Sequence, residues 1–394
     1  MTGTLYLAWR YLVANPLKTG VLFLTLTLSI YLPVATNSAL ERLDESWRER
    51  AAQTPLVVGA KGSRFDLTMH ALYFRGTPPQ TIAMDDLAEI QDSGYAAAFP
   101  LYIPGTTSSY SVVGTRLSYL DFRGLQISEG KALTFLGDCV LGANVAADLG
   151  AAPGDRLLTD PVNVFHIAGA YPLDMHISGI LKRTGTPDDD VVFVDLKTAW
   201  VIAGIGHGHV ELDDDADEAL VLERRDGTIV ANASLVEYTR ITEENRASFH
   251  FHEKPENLPI SAIIADPDDE RSATLLRGRY LSPSSETQIL VPSTVVDEIL
   301  ELVFRVGRIL QASYAVIIAI SAIFLALVVS LSIRLRKGEM ETLRLIGGSR
   351  WVIFQMHLYE YLTILLAAVL ASALLDMTTG PVTDSLVRSL LLKR

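Results

Sequence analysis

Three stretches of this 394-residue chain are almost without charge. No Asp, Glu, Lys or Arg occurs in residues 19–40 or 309–333, and Glu360 is the only one in residues 351–375. As helices rising ~1.5 Å per residue, the first two stretches reach about 33 and 37 Å, enough to cross a hydrocarbon core of roughly 30 Å. The chain is therefore expected to span a membrane at 19–40, at 309–333 and, on the same grounds, at 357–376. A leading signal peptide is the alternative for the first stretch. Its charged region is long, however, and its apolar run exceeds the roughly 7–15 residues of a signal, so it is expected to be retained.

Segregating the apolar residues also locates the acid. The formal net charge is -13. The spans and the segments flanking them sum to +5, which leaves -18 for residues 41–308. A domain this acidic excludes nucleic acid as a partner, because phosphate neutralisation needs Lys and Arg on one face. It suits cations, basic peptides or metal ions. Lys and Arg beside spans mark the cytoplasmic side. Arg10 and Lys18 precede the first span, and Arg334, Arg336 and Lys337 follow the second. Both signals place residues 1–18 and 334–356 inside, residues 41–308 outside, and a short tail, 377–394, beyond the third span. Cys139 is the only cysteine, so no intrachain disulfide supports the outer domain.

Within that domain, residues 41–53 read as the first span continuing outward as a helical stalk, and 295–308 as a second stalk leading into span two. Strands are expected at 54–60, 163–169, 176–181, 191–194, 260–265 and 287–291, and helices at 83–92, 137–150 and 270–277. Strand-helix-strand material early and late, with β-rich sequence between, predicts an α/β subdomain near the membrane with a β-rich subdomain, roughly 100–257, inserted into it. The fold class is thus membrane α-helical, with three transmembrane helices seen and a large α+β extracytoplasmic domain.

Several segments carry a resemblance. Residues 7–32 (LAWRYLVANPLKTGVLFLTLTLSIYL) place Arg and Pro in an amphipathic helix before span one. Residues 113–130 (VGTRLSYLDFRGLQISEG), 141–157 (LGANVAADLGAAPGDRL) and 178–196 (SGILKRTGTPDDDVVFVDL) follow in the outer domain. The most specific is 334–372, RLRKGEMETLRLIGGSRWVIFQMHLYEYLTILLAAVLAS, with a basic cluster, a Glu, the LRLIG run, a Ser/Arg turn and a Glu-containing span. Together these resemble the FtsX-like or MacB-like permease family, in its lipoprotein-release-like branch. The family usually has four spans, and this chain departs from that pattern with three.

The resemblance implies a non-catalytic membrane subunit of an ABC transporter in the bacterial inner membrane, multi-pass, with its large domain in the periplasm or extracellular space. It implies a cytoplasmic ABC ATPase as partner, a second permease copy in a homodimer, and a periplasmic client or binding protein. ATP and Mg are then held by the ATPase. In agreement, the chain lacks a G-x-x-x-x-G-K-[ST] segment of its own. The expected function is transmission of ATP-driven motion to the periplasmic domain, to export, release or regulate an envelope client.

Two groups of residues stand out as candidate sites. In the cytoplasmic loop, Gly347 and Gly348 can end a short helix over 339–346, and Ser349 can cap the next, which starts at Arg350. Glu339, Glu341, Leu343, Arg344, Ile346, Gly347, Gly348, Ser349 and Arg350 are the expected ATPase-coupling residues, the alternative being an ordinary loop with basic anchors. Glu360, near the inner end of span three, is expected to meet Arg350 or headgroup water. In the outer domain, His207 and His209 share a His-x-His spacing that puts both imidazoles on one strand face, with Asp213, Asp214, Asp215, Asp217 and Glu218 close behind. His250 and His252 repeat the spacing. These four histidines are candidate ligands for a transition metal, zinc first; the alternative is solvated loops. A membrane-anchored periplasmic metal-binding or sensor module is accordingly the second functional reading. The chain has no G-x-S-x-G elbow and no H-E-x-x-H helix.

Overall fold

The computed structural model describes residues 2–76, 80–161, 172–208, 221–225, 228–231, 239–282 and 285–392. It divides into two compact units. One comprises Met1–Glu45 and Glu298–Leu391, and the other Ser46–Asp297 with the last three residues. The chain passes between them at 45/46 and 297/298, each time inside an α-helix.

The first unit is helical. Thr2–Ala14 is followed at once by Pro16–Ala52, with Pro16 at the first helical position, where its missing N–H leaves no bond unmade. Pro292–Leu335, Lys337–Leu345 and Arg350–Leu392 complete it. Among the described residues, three helices are long and apolar enough to cross a membrane: Pro16–Ala52, Pro292–Leu335 and Arg350–Gly380. The first two each take in an expected span and its expected stalk as one uninterrupted helix. Residues 377–392, expected as a short tail, continue the third helix, with the Thr378 and Thr379 hydroxyls donating to the carbonyls of Leu374 and Leu375.

Leu12, Leu22 and Ile364 form the interior of this unit. Small polar side chains join the helices across it: Ser29 to Ser321 at 2.9 Å, Thr36 to Tyr314 at 2.8 Å and Tyr31 to Thr379 at 2.8 Å, while Ser372 donates to the Thr27 carbonyl at 3.0 Å. In hydrocarbon, where lipid and leucine are equally apolar, such bonds and close packing hold helices together, each contributing about 0.6 kcal/mol. Ile320, Ile323, Leu327 and Leu331 lie exposed on one helical face, as lipid-facing residues do.

The second unit is built on a mixed ten-stranded sheet among the described residues. Its order is Thr287–Leu290, Leu56–Ala60, Ala262–Pro267, Ala96–Thr107, Tyr110–Thr115, Val191–Asp195, Asp138–Leu141, Asp174–Leu181 and Ile127–Gly130, with Arg156–Leu158 also pairing to Asp174–Leu181. Central strands such as Leu56–Ala60 are buried along their whole length and read as continuous apolar runs. Asp174–Leu181 instead alternates, burying Met175, Ile177 and Leu181. The 12-residue strand Ala96–Thr107 serves both halves of the sheet, pairing with Ala262–Pro267 through residues 96–101 and with Tyr110–Thr115 through residues 102–107. Both halves of the expected α/β and β-rich division therefore share one sheet. Helix Leu196–Ile202 packs on it, its first turn capped by the Asp195 carboxylate, which accepts from the Lys197 and Thr198 N–H groups.

Residues 137–150, expected as one helix, are a strand, Asp138–Leu141, followed by a short helix, Ala143–Leu149. The neighbouring strands Val191–Asp195 and Asp174–Leu181 take up the backbone hydrogen bonds of Cys139, Val140 and Leu141 on both sides, which outweighs the helical spacing of Val140, Leu141 and Val145. The strand expected at 163–169 lies outside the described residues.

Candidate functional site

In the helical unit, the expected coupling loop is a helical hairpin. Lys337–Leu345 is the first arm, and the chain turns through Gly347 at φ +96°, a left-handed geometry open to glycine. A Cβ on Gly348 would lie 2.7 Å from the Leu343 carbonyl oxygen, so the second glycine is needed for space. Ser349 then accepts the Val352 N–H at 3.3 Å and starts the returning helix at Arg350. Glu341, Arg344, Ile346, Gly347, Ser349 and Arg350 are exposed, and Leu343 and Gly348 are half-buried. Glu339 is exposed but turned back, accepting from Arg336 Nε at 3.1 Å. Two apolar residues absent from the sequence-based set dominate the tip: Leu345 is 87% exposed and Trp351 64%, beside Ile346 at 77%.

At the base of the hairpin sits a charged node. Glu360, expected to meet Arg350 or water, is fully buried and meets neither. Its Oε1 accepts from Lys18 Nζ at 3.1 Å and its Oε2 from Arg336 Nη1 at 3.1 Å, and Lys18 also donates to Ser332 Oγ at 2.6 Å. The Arg336 guanidinium lies 3.6 Å from the centroid of the Tyr11 ring. One carboxylate thus joins the first membrane-length helix, the end of the second and the start of the third. Arg350 lies ten residues before Glu360 on the same helix, about 15 Å away and out of reach, whereas Arg336, just past the end of Pro292–Leu335, lies beside it. A buried charge is tolerated when paired and hydrogen-bonded in this way.

In the sheet unit, a second buried node holds the last turn of Pro16–Ala52. Arg50 is 4% exposed and uses its whole guanidinium: Nη1 to Asp188 Oδ2 at 2.6 Å, Nη2 to Asp188 Oδ1 at 3.0 Å and to the Tyr119 hydroxyl at 3.3 Å, and Nε to the Leu72 carbonyl at 3.1 Å. Tyr119 donates to Asp188 Oδ1 at 3.2 Å, and Arg123 donates to the Gln53 carbonyl and to Thr54 Oγ1. Burial alone would raise the Asp188 carboxyl, but the Arg50 charge and its hydrogen bonds outweigh that and hold it below the usual carboxylate range. Sequence reasoning missed this node. Its only sequence signal is an Arg at the end of a helix otherwise turning polar, paired with one of three Asp in a row.

The histidines expected as metal ligands fall on a separate two-stranded ladder. Gly206–Gly208 pairs antiparallel with Phe249–Phe251, with His207 opposite His250. His252, two residues on, lies on the same face. His207, His250 and His252 come together, their ligand atoms all within 4.8 Å of one another. His209 and the acidic run after it lie outside the described residues. On the opposite face, Phe251 packs edge-on against Trp200 with ring centroids 5.9 Å apart, and both rings line a cavity of about 870 Å³ with Leu133, Leu196 and Leu258.

Membrane-length helices, a charged node at the base of a helical hairpin and a mixed-sheet domain stand on one chain, as in a membrane subunit of the permease class. The family model of the MacB-like periplasmic core domain matches residues 24–228, half of the chain, and that of the FtsX-like permease C-terminal matches residues 312–388, which contain the hairpin. The chain belongs to the MacB/FtsX-like permeases, membrane subunits of ABC transporters that carry a periplasmic domain and work with an ATPase partner. Among solved structures it is similar to the periplasmic region of MacB from Actinobacillus actinomycetemcomitans, at 10% identity and TM-score 0.34, covering 64% of this chain and 96% of that one. It is also similar to the extracellular domain of the ABC-type transporter YknZ from Gram-positive bacteria, at 11% identity and TM-score 0.33, covering 60% of this chain and 98% of that one. Comparison with curated proteins gives no match.

Proposed function

We propose that this chain sits in the bacterial inner membrane as a non-catalytic permease subunit, in two copies with two cytoplasmic ATPase subunits that hold ATP and Mg. It passes the motion of ATP hydrolysis to the periplasmic domain to export, release or regulate an envelope client. Within the family we read it as lipoprotein-release-like, on residues 141–157 and 178–196. The observation that carries the proposal is the Glu360 node. A push on the hairpin reaches Arg336 through the first arm and Glu360 through the second, and Glu360 is bonded to the first helix through Lys18. The exposed Leu345, Ile346 and Trp351 offer an apolar tip for a groove on the ATPase, rimmed by Glu341, Arg344 and Arg350.

The test is co-purification with candidate ABC ATPase subunits of the same organism, followed by ATP hydrolysis in nanodiscs. Ile346→Asp places a carboxylate in the apolar tip and is expected to cut ATPase capture at least tenfold, equivalent to about 1.4 kcal/mol. Gly347→Val, which forces a β-branched residue to positive φ, is expected to uncouple hydrolysis from the permease. Unchanged capture and unchanged hydrolysis in both variants would sink the proposal.

A further inference from the structure

Strand pairing brings together three imidazoles that lie 43 or more positions apart across the two strands. His207 and His250 are cross-strand partners, and His252 is the next residue on their face of the ladder. The three rings stand around a common point, with centroids 4.8 Å apart for His207 and His250, and 5.0 Å for each of them to His252. The opposite face explains why the histidines gather. A Cβ on Gly206 would lie 2.4 Å from the Phe251 ring and one on Gly208 2.6 Å from the Phe249 ring, so the two glycines let both phenyl rings lie flat across the strand. With Phe249 and Phe251 directed that way, period-2 alternation sends His250 and His252 to the other side, beside His207.

The chemistry of one ring is also fixed. His250 Nδ1 lies 2.9 Å from the Ser248 carbonyl oxygen, which can only accept. Nδ1 therefore carries the proton, and in the neutral ring the lone pair is on Nε2. A backbone carbonyl that holds the far nitrogen of an imidazole is the usual support of a metal-ligating histidine, setting its tautomer and orientation.

We propose that His207, His250 and His252 form a binding site for a divalent transition cation, with zinc as the first choice. The donor set is all imidazole nitrogen, which suits late first-row metals and is wrong for magnesium or calcium, both of which take oxygen ligands. Zn–N bonds of 2.0–2.1 Å place tetrahedral nitrogens about 3.3 Å apart, so the present spacing closes by about 1.5 Å, a rotation within reach of the exposed His252 side chain. Three protein ligands leave the fourth position to water or a ligand from elsewhere, which makes the site exchangeable rather than a closed structural one. Bound metal would lock the strand pair whose other face carries Phe251 and the wall of the 870 Å³ cavity.

The experiment uses the full chain in detergent, stripped with EDTA and titrated with zinc alone by calorimetry, and with cobalt(II) alone for its visible absorption. The expected result is one zinc per chain, a tetrahedral cobalt spectrum, and no displacement by excess magnesium or calcium. His250→Ala and His252→Ala are each expected to weaken zinc binding at least tenfold while leaving the metal-free thermal melt unchanged. His252 is exposed, so its variant keeps the test valid if His250→Ala disturbs the ladder. Absence of zinc binding, or binding of equal strength in the His252→Ala chain, overturns the proposal. Loss of binding on His209→Ala with retention on His252→Ala overturns the assignment of the third ligand.

Discussion

Replacing Asp188 by Asn is the sharpest perturbation this structure offers. The change keeps the shape of the side chain, but it leaves Arg50, 4% exposed, without a counter-charge and turns an amide NH₂ towards one guanidinium N–H. Tyr119 and the Leu72 carbonyl remain as partners, and neither carries charge. Removing one member of a buried, hydrogen-bonded pair costs about 3–5 kcal/mol, because the surviving charge is stranded out of water. For a unit of this size that corresponds to a fall in Tm of roughly 6–20 °C. The assay is urea or thermal unfolding of the full chain in detergent, followed by fluorescence of Trp47 and Trp200 with Trp9 and Trp351 replaced by Phe, so that only the sheet unit reports. Replacing both partners together, Arg50→Met with Asp188→Leu, removes the stranded charge and is expected to recover most of the loss. The pH dependence has a definite sign. A carboxyl depressed in the folded state adds stability above its unfolded value near 4, and that stability is lost as pH falls through the folded value. Wild type should therefore weaken below about pH 4 by a component that Asp188→Asn lacks. A cost under about 1 kcal/mol for Asp188→Asn, or an equal cost for the double variant, would refute the reasoning, since it would mean that water reaches the pair.

Two further outcomes are expected. His70 is buried, donates from Nδ1 to the Gly76 carbonyl at 3.2 Å and has no partner for Nε2 among the described residues, and burial pushes its pKa down to about 4. The unfolded chain then binds the extra proton first, so stability is expected to fall by about 3 kcal/mol as pH drops from about 6.5 to about 4, and His70→Gln should flatten that part of the profile in the same unfolding assay. In the helical unit, Glu360→Gln leaves Lys18 without its counter-charge and Arg336 with Glu339 alone, and is expected to destabilise the helix packing by about 3 kcal/mol. Its readout is permease-stimulated ATP hydrolysis in nanodiscs, expected to fall at least tenfold, whereas a drop no larger than that of Glu341→Gln at the exposed surface would count against the node.

What the sequence disclosed and what it hid divide along a physical line. Features that depend on neighbours in the chain were legible: the uncharged stretches became membrane-length helices, and Gly347, Gly348 and Ser349 became a turn and a cap as their chemistry requires. Features set by distant partners were not. Asp188 stands in an acidic run that reads as solvated loop, and nothing local distinguishes it from Asp190 as the partner of Arg50. Glu360 has Arg350 nearby in sequence, yet the bond goes to Lys18, 342 positions away. Residues 137–150 carry helical spacing, but their first half lies between two strands that claim its backbone. The histidines show the middle case. Their His-x-His spacing was visible, whereas the convergence of His207 with His250 and His252 depends on a cross-strand register that no local pattern announces.

The sequence distance within each charged node also sets an order of events during synthesis. Arg50 leaves the ribosome 138 residues before Asp188, and at roughly 5–20 residues per second it waits about 7–28 s for its counter-charge. Lys18 waits about 17–70 s for Glu360. Burying an unpaired cation is costly, so both ends of the first membrane helix are expected to stay hydrated over that interval. Glu360 is made after both of its cationic partners, so a chain interrupted before residue 360 is expected to leave Lys18 without its counter-charge.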